Sequence, residues 1–186
     1  MKLLRQSLVL SLLLLVLCSV AYPLLLTCLA QLAPGRGAGE TLTANGRVVG
    51  FARIGQRFTQ ARYFNSRPSA VDYNAAGSAG SNKAPSNPEY RALVKARLDT
   101  FLLQNPSVTA AQVPGELLTA SGSGLDPDLS PEGALVQVPR VAKARGVSSD
   151  AFRTLVEAHV ERPVLGAAHV NVLALNIALD QLAAGK

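Results

Sequence analysis

The chain has 186 residues, of which 48% are hydrophobic, and its formal net charge is +6. Once an apolar N-terminal segment is set aside, the remainder has the length of one ordinary domain, which can bury a core without disulfides or metal. Both cysteines, Cys18 and Cys28, lie inside the apolar segment, so the rest of the chain offers no thiolate to a zinc ion. Without a lysine-rich stripe or an aromatic stacking motif, nucleic-acid binding is not expected.

The N-terminal segment predicts a membrane-spanning helix. Residues 8–32 carry few polar side chains and form a longer run than the roughly 20 residues that cross a bilayer. A secretory signal has a shorter apolar region of about 7–15 residues, so a cleaved signal ending near residues 19–21 is the weaker alternative. Pro23 predicts a kink, and Thr27 can donate to a backbone carbonyl or to a partner helix. We expect both residues to serve packing beside other membrane helices.

The charges on either side of this helix predict its orientation. Lys2 and Arg5 precede it, whereas the other flank has Arg36 and then Glu40. By the positive-inside rule the short basic N-terminus stays cytoplasmic, so the main domain lies on the periplasmic or extracellular side of the cell inner membrane. The predicted segments are a cytoplasmic N-terminus, a transmembrane helix, a linker and a main domain, at residues 1–7, 8–32, 33–40 and 41–186.

The main domain begins with a predicted hairpin and a long loop. An Asn-Gly pair at residues 45–46, followed by alternating apolar residues, predicts a hairpin turn and a strand. Residues 55–88 are rich in Gly, Ser, Asn and Pro, and loops of this length in compact domains are usually functional or disordered. The interleaved Tyr63, Phe64 and Tyr73 argue against simple disorder.

Helices separated by short strands follow, which predicts the α+β class: one N-terminal transmembrane helix and then a single soluble α+β domain. Capping residues and prolines set the expected boundaries. The predicted elements are a helix from Asn87-Pro88 to Pro106, a strand at residues 117–120, a helix from Ser130 interrupted at Pro139, a helix capped by Ser149 or Asp150, and a last helix over residues 172–182.

Familiar catalytic and metal motifs fail in this sequence. His159 and His169 are the only histidines, and no Gly-Lys-Ser/Thr triplet marks a phosphate loop. Neither Ser121 nor Ser123 fits the Gly-x-Ser-x-Gly elbow. Residues 126–131 begin like a calcium loop but carry proline where the turn requires glycine. The residues alone therefore predict an anchored domain that is not a self-sufficient enzyme and holds no cofactor or metal firmly.

Two features of the sequence each allow a functional and a purely structural interpretation. Basic residues outnumber acidic ones over residues 36–67, which suits lipid headgroups or an acidic partner, and equally a scatter of solvated arginines. The turn at residues 121–132 runs into a helix N-terminus, a feature that can hold an anion. The interpretation that we favour is that Ser130 simply caps its own helix and Asp126 closes a turn.

Blocks of sequence spread over most of residues 55–180 carry a family resemblance. They are GQRFT at 55–59, RYFNSRPS at 62–69, DYN at 72–74, GSN at 80–82, PSNP at 85–88, residues 119–127, QVPRVAKAR at 137–145 and VNVLALN at 170–176. As a set they resemble the C subunit of the bacterial potassium-transporting (Kdp) P-type ATPase, and the N-terminal anchor fits that family. Lys83-Ala84 departs from it, because an apolar residue is usual there, and adds a positive charge to the loop.

The resemblance implies a non-catalytic accessory subunit of an ATP-driven, high-affinity potassium importer. The implied partners are a channel-like potassium-binding subunit, a P-type ATPase subunit, a small one-helix subunit and the lipid bilayer. The family's C subunit is needed for assembly, and it has been proposed as a catalytic chaperone that raises the ATP affinity of the ATPase subunit. That proposal points to a glutamine matching Gln137 as a nucleotide contact, with ATP as a possible ligand.

The predicted orientation favours another role, because a domain outside the cell cannot meet cytoplasmic ATP. We expect a structural and gating role, with the domain lying over the external mouth of the channel-like subunit. Acidic side chains such as Asp72, Asp126 and Asp128 could then help to attract potassium. The candidates for subunit docking or potassium attraction are Arg62, Tyr63, Phe64, Arg67, Asp72, Tyr73, Asn74, Asp126 and Asp128.

Two other functions remain as alternatives. One is a membrane-tethered nucleotide-binding regulator, which would use Gln137 and the turn at residues 121–130. The other is an anchored envelope hydrolase, which would use Ser121 or Ser123 as its nucleophile.

Overall fold

The computed structural model describes residues 1–184, which form two compact units. The first unit comprises Met1–Thr41 and the second begins at Leu42. The first is a long apolar helix with a short linker, and the second combines helices with two small antiparallel sheets. The predicted class, a single N-terminal apolar helix followed by an α+β domain, is confirmed.

The first unit is a helical stretch of 29 residues from Lys2 to Ala30, long and apolar enough to cross a membrane. It consists of helix α1 (Lys2–Val16), a π-helical turn (Leu17–Ala21) and helix α2 (Tyr22–Ala30). Pro23 lies in the first turn of α2, and Thr27 Oγ1 donates to the Pro23 carbonyl at 2.8 Å. A π-helical turn and a proline both bend helices. Their use in packing against other membrane helices stays a prediction.

The hairpin predicted at the start of the main domain is confirmed. Strand β1 (Thr41–Ala44) turns at Asn45 and Gly46 into strand β2 (Arg47–Phe51). Both turn residues have positive φ, 51° and 75°, as the favoured two-residue hairpin turns require. The long loop that follows contains one short 3₁₀ turn, Ala75–Gly77, before the next helix.

Helix α3 (Pro88–Gln104) begins as predicted, because Asn87 Oδ1 accepts a hydrogen bond from the Tyr90 amide at 3.0 Å. The strand predicted at residues 117–120 is wrong. The chain there makes a 3₁₀ turn, Gly115–Leu117, followed by irregular backbone. Leu117 and Leu118 are both buried, which the turn permits, whereas neighbouring residues of a strand point to opposite faces.

Three short helices follow: α4 (Pro131–Leu135), α5 (Val138–Arg145) and α6 (Ser149–Ala158). The break predicted at Pro139 lies earlier, between α4 and α5, and Pro139 sits in the first turn of α5, where its missing N–H costs nothing. The cap of α6 is Ser148 rather than Ser149 or Asp150, since the Ser148 hydroxyl accepts from the Ala151 amide.

A three-stranded antiparallel sheet and helix α7 (Val172–Ala184) complete the domain. Strands β3 (Asp128–Leu129), β4 (Val160–Glu161) and β5 (His169–Asn171) lie in the order β3-β5-β4. Strands of two or three residues are too short to show the alternation that a sequence pattern needs, so none of the three was predicted. The central core contains Phe64, Phe101, Leu129, Val138, Val141, Phe152, Val156, Val170, Leu175 and Leu179.

The loop is fastened to α7 by one buried amide. Asn176 is 2% exposed, its Oδ1 accepts from the Phe64 amide at 2.9 Å, and its Nδ2 donates to the Phe64 carbonyl at 3.0 Å. Phe64 lies in an irregular segment, so no neighbouring strand can satisfy its backbone, and the Asn176 side chain does so instead. This pairing lets an apolar side chain of the loop reach the core.

Asn176→Asp should therefore destabilise the domain. The change removes the donor to the Phe64 carbonyl and buries a carboxylate, at a cost of about 3 kcal/mol or more. Thermal unfolding of the full chain in detergent measures it. Asn74→Asp is the matched control, because Asn74 is exposed and uses only its Oδ1, as an acceptor from the Ala76 amide. Equal unfolding temperatures for the two variants would contradict the role given to Asn176.

Candidate functional site

A buried polar site of the domain surrounds the guanidinium of Arg140 on α5. Arg140 is 8% exposed, and its Nε donates to Asn105 Oδ1 at 3.1 Å. Its Nη1 donates to the carbonyls of Ala61 and Tyr63 at 2.7 and 3.0 Å, and its Nη2 donates to Gln137 Oε1 at 2.7 Å. Four of the five N–H groups of the guanidinium are thus used within the domain, and they fix the course of the loop.

Gln137 completes this site from the residue before α5. Its side chain is fully buried, and Oε1 accepts from the Asn65 amide at 2.8 Å as well as from Arg140. Its Nε2 donates to the carbonyls of Asn65 and Gly133 at 3.1 and 3.0 Å. Both donor hydrogens and both acceptor positions of the amide are therefore occupied inside the domain.

The charge of Arg140 is not balanced nearby. Among the described residues no carboxylate lies within ion-pair distance of its guanidinium. Burial lowers the pKa of Arg140 to about 10, so the side chain still carries its charge at neutral pH. Neutral acceptors alone compensate a desolvated cation, which makes this site costly to disturb.

A second polar cluster surrounds Tyr63 at the start of the loop. The Tyr63 hydroxyl donates to Asp180 Oδ2 at 2.9 Å, and Arg145 Nη2 lies 2.7 Å from Asp180 Oδ1. The guanidinium carbons of Arg62 and Arg145 lie 5.1 and 5.0 Å from the Tyr63 ring centroid, within cation–π range. Arg62 is half exposed, whereas Phe64 is fully buried in the core, so Phe64 is not available as a surface contact.

The loop also docks against the turn that precedes β3. Arg67 Nη1 lies 2.9 Å from Asp126 Oδ2, and both side chains are about three-quarters buried. The Ser121 amide donates to the Pro68 carbonyl at 3.3 Å, and the Ser78 hydroxyl donates to the Ser123 carbonyl at 2.9 Å. Sequence segments more than 40 residues apart therefore form one surface.

The remaining candidates shape this surface from within the loop. Asp72 and Tyr73 both have positive φ, 57° and 59°, and Asp72 pairs with Arg57. The Tyr73 hydroxyl donates to the Arg67 carbonyl, and burial raises the pKa of Tyr73. Asn74 caps the 3₁₀ turn through its Oδ1. These side chains hold the loop in shape, and their part in docking or potassium attraction stays a prediction.

Asp128 on β3 is a titratable group whose pKa the fold raises. Its Oδ1 accepts from Asn171 Nδ2 at 3.2 Å, and burial raises its pKa above the ordinary value. The folded domain therefore holds a proton on Asp128 more tightly than the unfolded chain does. The ionised carboxylate costs stability as pH rises through the raised folded pKa, and this cost vanishes below the unfolded pKa.

Asp128→Asn should consequently raise the unfolding temperature of the full chain in detergent at pH 7. The amide keeps an acceptor for Asn171 while the half-buried charge is removed. The gain should shrink as pH falls and disappear at about pH 3, where the wild-type carboxyl is protonated in both states. Exposed Asp150→Asn is the control, and a gain there of equal size and pH dependence would refute the argument.

The described residues contain no group of three or more His, Cys, Asp or Glu side chains that could hold a metal ion. The Ser121 and Ser123 hydroxyls accept from the amides of Gly124 and Leu125 and close the turn. The ring of His159 contacts the Leu155 carbonyl instead of a serine.

The residues that sequence reasoning missed are the buried polar ones. Arg140, Asn105 and Asn176 were not singled out as site residues, although they hold the loop together. One signal was available, because Gln137 and Arg140 are three apart and interrupt an apolar stripe of α5 that contains Val138 and Val141. Two polar residues at that spacing on a buried face indicate a shared network.

Comparison with known proteins identifies the family of this chain. The family described as "KdpC: K+-transporting ATPase, c chain" matches residues 4–181. The chain belongs to this family. It is 54% identical over 183 residues to the "Potassium-transporting ATPase KdpC subunit" of Flavobacterium psychrophilum, covering 98% of this chain and 100% of the relative. The proteins of the same description from Bacteroides fragilis (strain ATCC 25285) and Nitratidesulfovibrio vulgaris are 51% and 48% identical, and the alignments cover 98% and 100% of this chain and 98% of each relative.

Family membership confirms the resemblance read from the sequence blocks and makes the chain a subunit of a K+-transporting ATPase complex. We call Arg140 and Gln137, with their hydrogen bonds to the loop backbone, the loop clamp. Both lie in the block QVPRVAKAR, and the block RYFNSRPS contains Tyr63 and Asn65, whose backbone groups they bind.

Proposed function

We propose that this KdpC-family subunit serves assembly and potassium gating in the complex, with its domain over the external mouth of the channel-like subunit. The family suggests a second, nucleotide-binding role that would depend on Gln137. The observation that favours our proposal over this second role is the burial of Gln137, whose side-chain amide is fully used inside the domain. A ligand contact there would require that the loop clamp first come apart.

The basic N-terminal flank of the apolar helix supports a position of the domain on the external side of the membrane. Lys2 and Arg5 begin the apolar helix, and a short basic flank favours the cytoplasm. A domain on the far side is separated from cytoplasmic ATP by the bilayer. Under this topology the chain affects hydrolysis only through the subunits that it holds together.

The acidic side chains limit how gating could work. Asp72 faces Arg57, Asp126 faces Arg67, and Asp128 is half-buried against Asn171. Carboxylates that already have partners contribute little free negative potential to attract a cation. We therefore propose that the domain gates by where it sits on the channel-like subunit, and that attraction of potassium by these three residues is secondary.

Thiol labelling tests on which side of the membrane the domain lies. In a background with Cys18→Ala and Cys28→Ala, Ser149→Cys places one thiol at the start of α6. A membrane-impermeant maleimide should label it in intact spheroplasts, because the periplasmic side is then open to the reagent. Labelling only after inverted vesicles are prepared would place the domain in the cytoplasm and would refute the proposal.

Gln137→Leu separates the structural role from nucleotide binding. The change leaves the Asn65 amide and one Arg140 N–H without acceptors, so we expect a loss of about 3 kcal/mol in unfolding free energy. The complexes that still assemble should keep the wild-type KM for ATP. Gln181→Leu, at an exposed site of α7, is the control and should change neither quantity. A several-fold rise in KM without loss of stability would identify Gln137 as a nucleotide contact.

A further inference from the structure

A groove runs between the C-terminal half of α3 and the loop segment that Arg140 holds. It consists of two clefts of about 280 and 570 Å³ that share Gln104. The lining of the smaller cleft includes Arg97, and that of the larger includes Leu103, Pro106, Arg140 and Lys143. We call the two clefts together the α3–α5 groove.

The charges that line this groove are all positive. Arg97, Arg140 and Lys143 contribute to its walls, and none of them forms an ion pair with a described carboxylate. Arg97 donates to the Leu118 carbonyl at 2.9 Å, which fixes its direction without neutralising it. The groove therefore has a net positive potential, and its partly desolvated walls strengthen the attraction for an anionic group.

The groove also has polar and apolar surface that an occupant can contact. Gln104, which lines both clefts, is exposed, and its side-chain amide offers both a donor and an acceptor. Leu103 is 83% exposed where it lines the larger cleft, beside the exposed Pro106. An exposed leucine next to a cleft is typical of a surface that a partner covers.

These features together specify the occupant. The three cations favour a carboxylate or phosphate, the Gln104 amide favours a group with both donors and acceptors, and Leu103 favours an apolar neighbour. A phosphate at neutral pH supplies acceptors but hardly any donors and no apolar surface. A polypeptide that carries an aspartate or glutamate supplies all three, through its carboxylate, its backbone N–H and C=O groups and its apolar side chains.

We propose that the α3–α5 groove receives an acidic segment of another subunit of the same transport complex. The proposal rests on the assembly part of the function proposed above and not on the side of the membrane or on gating. The groove adjoins the loop clamp, so an occupied groove would also stabilise the loop segment that forms one of its walls.

Carbodiimide coupling of the purified complex tests the contact, because this reagent joins an amine to a carboxylate that touches it. Peptide mass spectrometry should find Lys143 joined to an aspartate or glutamate of another subunit. Lys95 is an internal positive control, since its Nζ lies 2.8 Å from Asp99 Oδ2 within this chain.

Charge reversal at Lys143 tests whether the groove contributes to assembly of the complex. Lys143→Glu should reduce about tenfold the amount of this chain that is retained when the complex is purified through a tag on the channel-like subunit. Lys143→Arg should keep the retention, because it keeps the charge, and should abolish coupling at this position. Arg153→Glu is the matched control, since it makes the same charge change on the exposed side of α6 and should stay within about twofold of the wild type.

Several results would overturn the proposal. Wild-type retention of Lys143→Glu would do so, as would an equal loss in Arg153→Glu. Failure of Lys143 to couple to another subunit, while Lys95 couples to Asp99, would also count against it. If Lys143→Glu assembled normally but lost binding to vesicles of anionic phospholipid, the groove would be a lipid site instead. None of these outcomes depends on the labelled side of Ser149→Cys, so the two proposals fail independently.

Discussion

The main domain depends on the desolvated guanidinium of Arg140, because it gives a long irregular loop a fixed course. Loop carbonyls normally face water or a neighbouring strand, but those of Ala61 and Tyr63 point at a buried cation. Gln137 and Asn176 hold the next residues by pairing both backbone groups of Asn65 and Phe64. Two side-chain amides and one guanidinium thus replace the hydrogen-bond ladder that a strand would supply, and the Phe64 ring reaches the core as a result.

This arrangement connects the fold to the proposed role. A loop supported in this way presents Tyr63, Arg67 and the turn before β3 as a preformed surface, and a preformed surface loses less conformational entropy when a partner binds. The same clamp leaves positive charge beside α3 that no described carboxylate neutralises. The residues that stabilise the domain thereby also determine which surface remains available to other subunits.

The sequence predicted the parts that rest on local chemistry. The Asn-Gly hairpin, the Asn87 cap with Pro88 and the apolar stretch of α1 and α2 were all recognised, because each depends on neighbouring residues. The strand at residues 117–120 was wrong, because two adjacent leucines suggest a buried strand when in fact a 3₁₀ turn buries both. The two- and three-residue strands β3, β4 and β5 could not be foreseen, since they exist only through pairing with distant partners.

The candidate site was recovered only in part, for a related reason. The family resemblance pointed to Gln137 and to the loop, but Arg140 also binds Asn105, Ala61 and Tyr63, which lie 35 to 79 positions away along the chain.

Contacts between such distant residues also restrict the length of the loop. Irregular segments usually tolerate inserted or deleted residues. Between Ala61 and Asn65, a change of one residue would move Phe64 out of the core and misalign its amide pairs, so this loop should keep its length as strictly as a strand in the middle of a sheet.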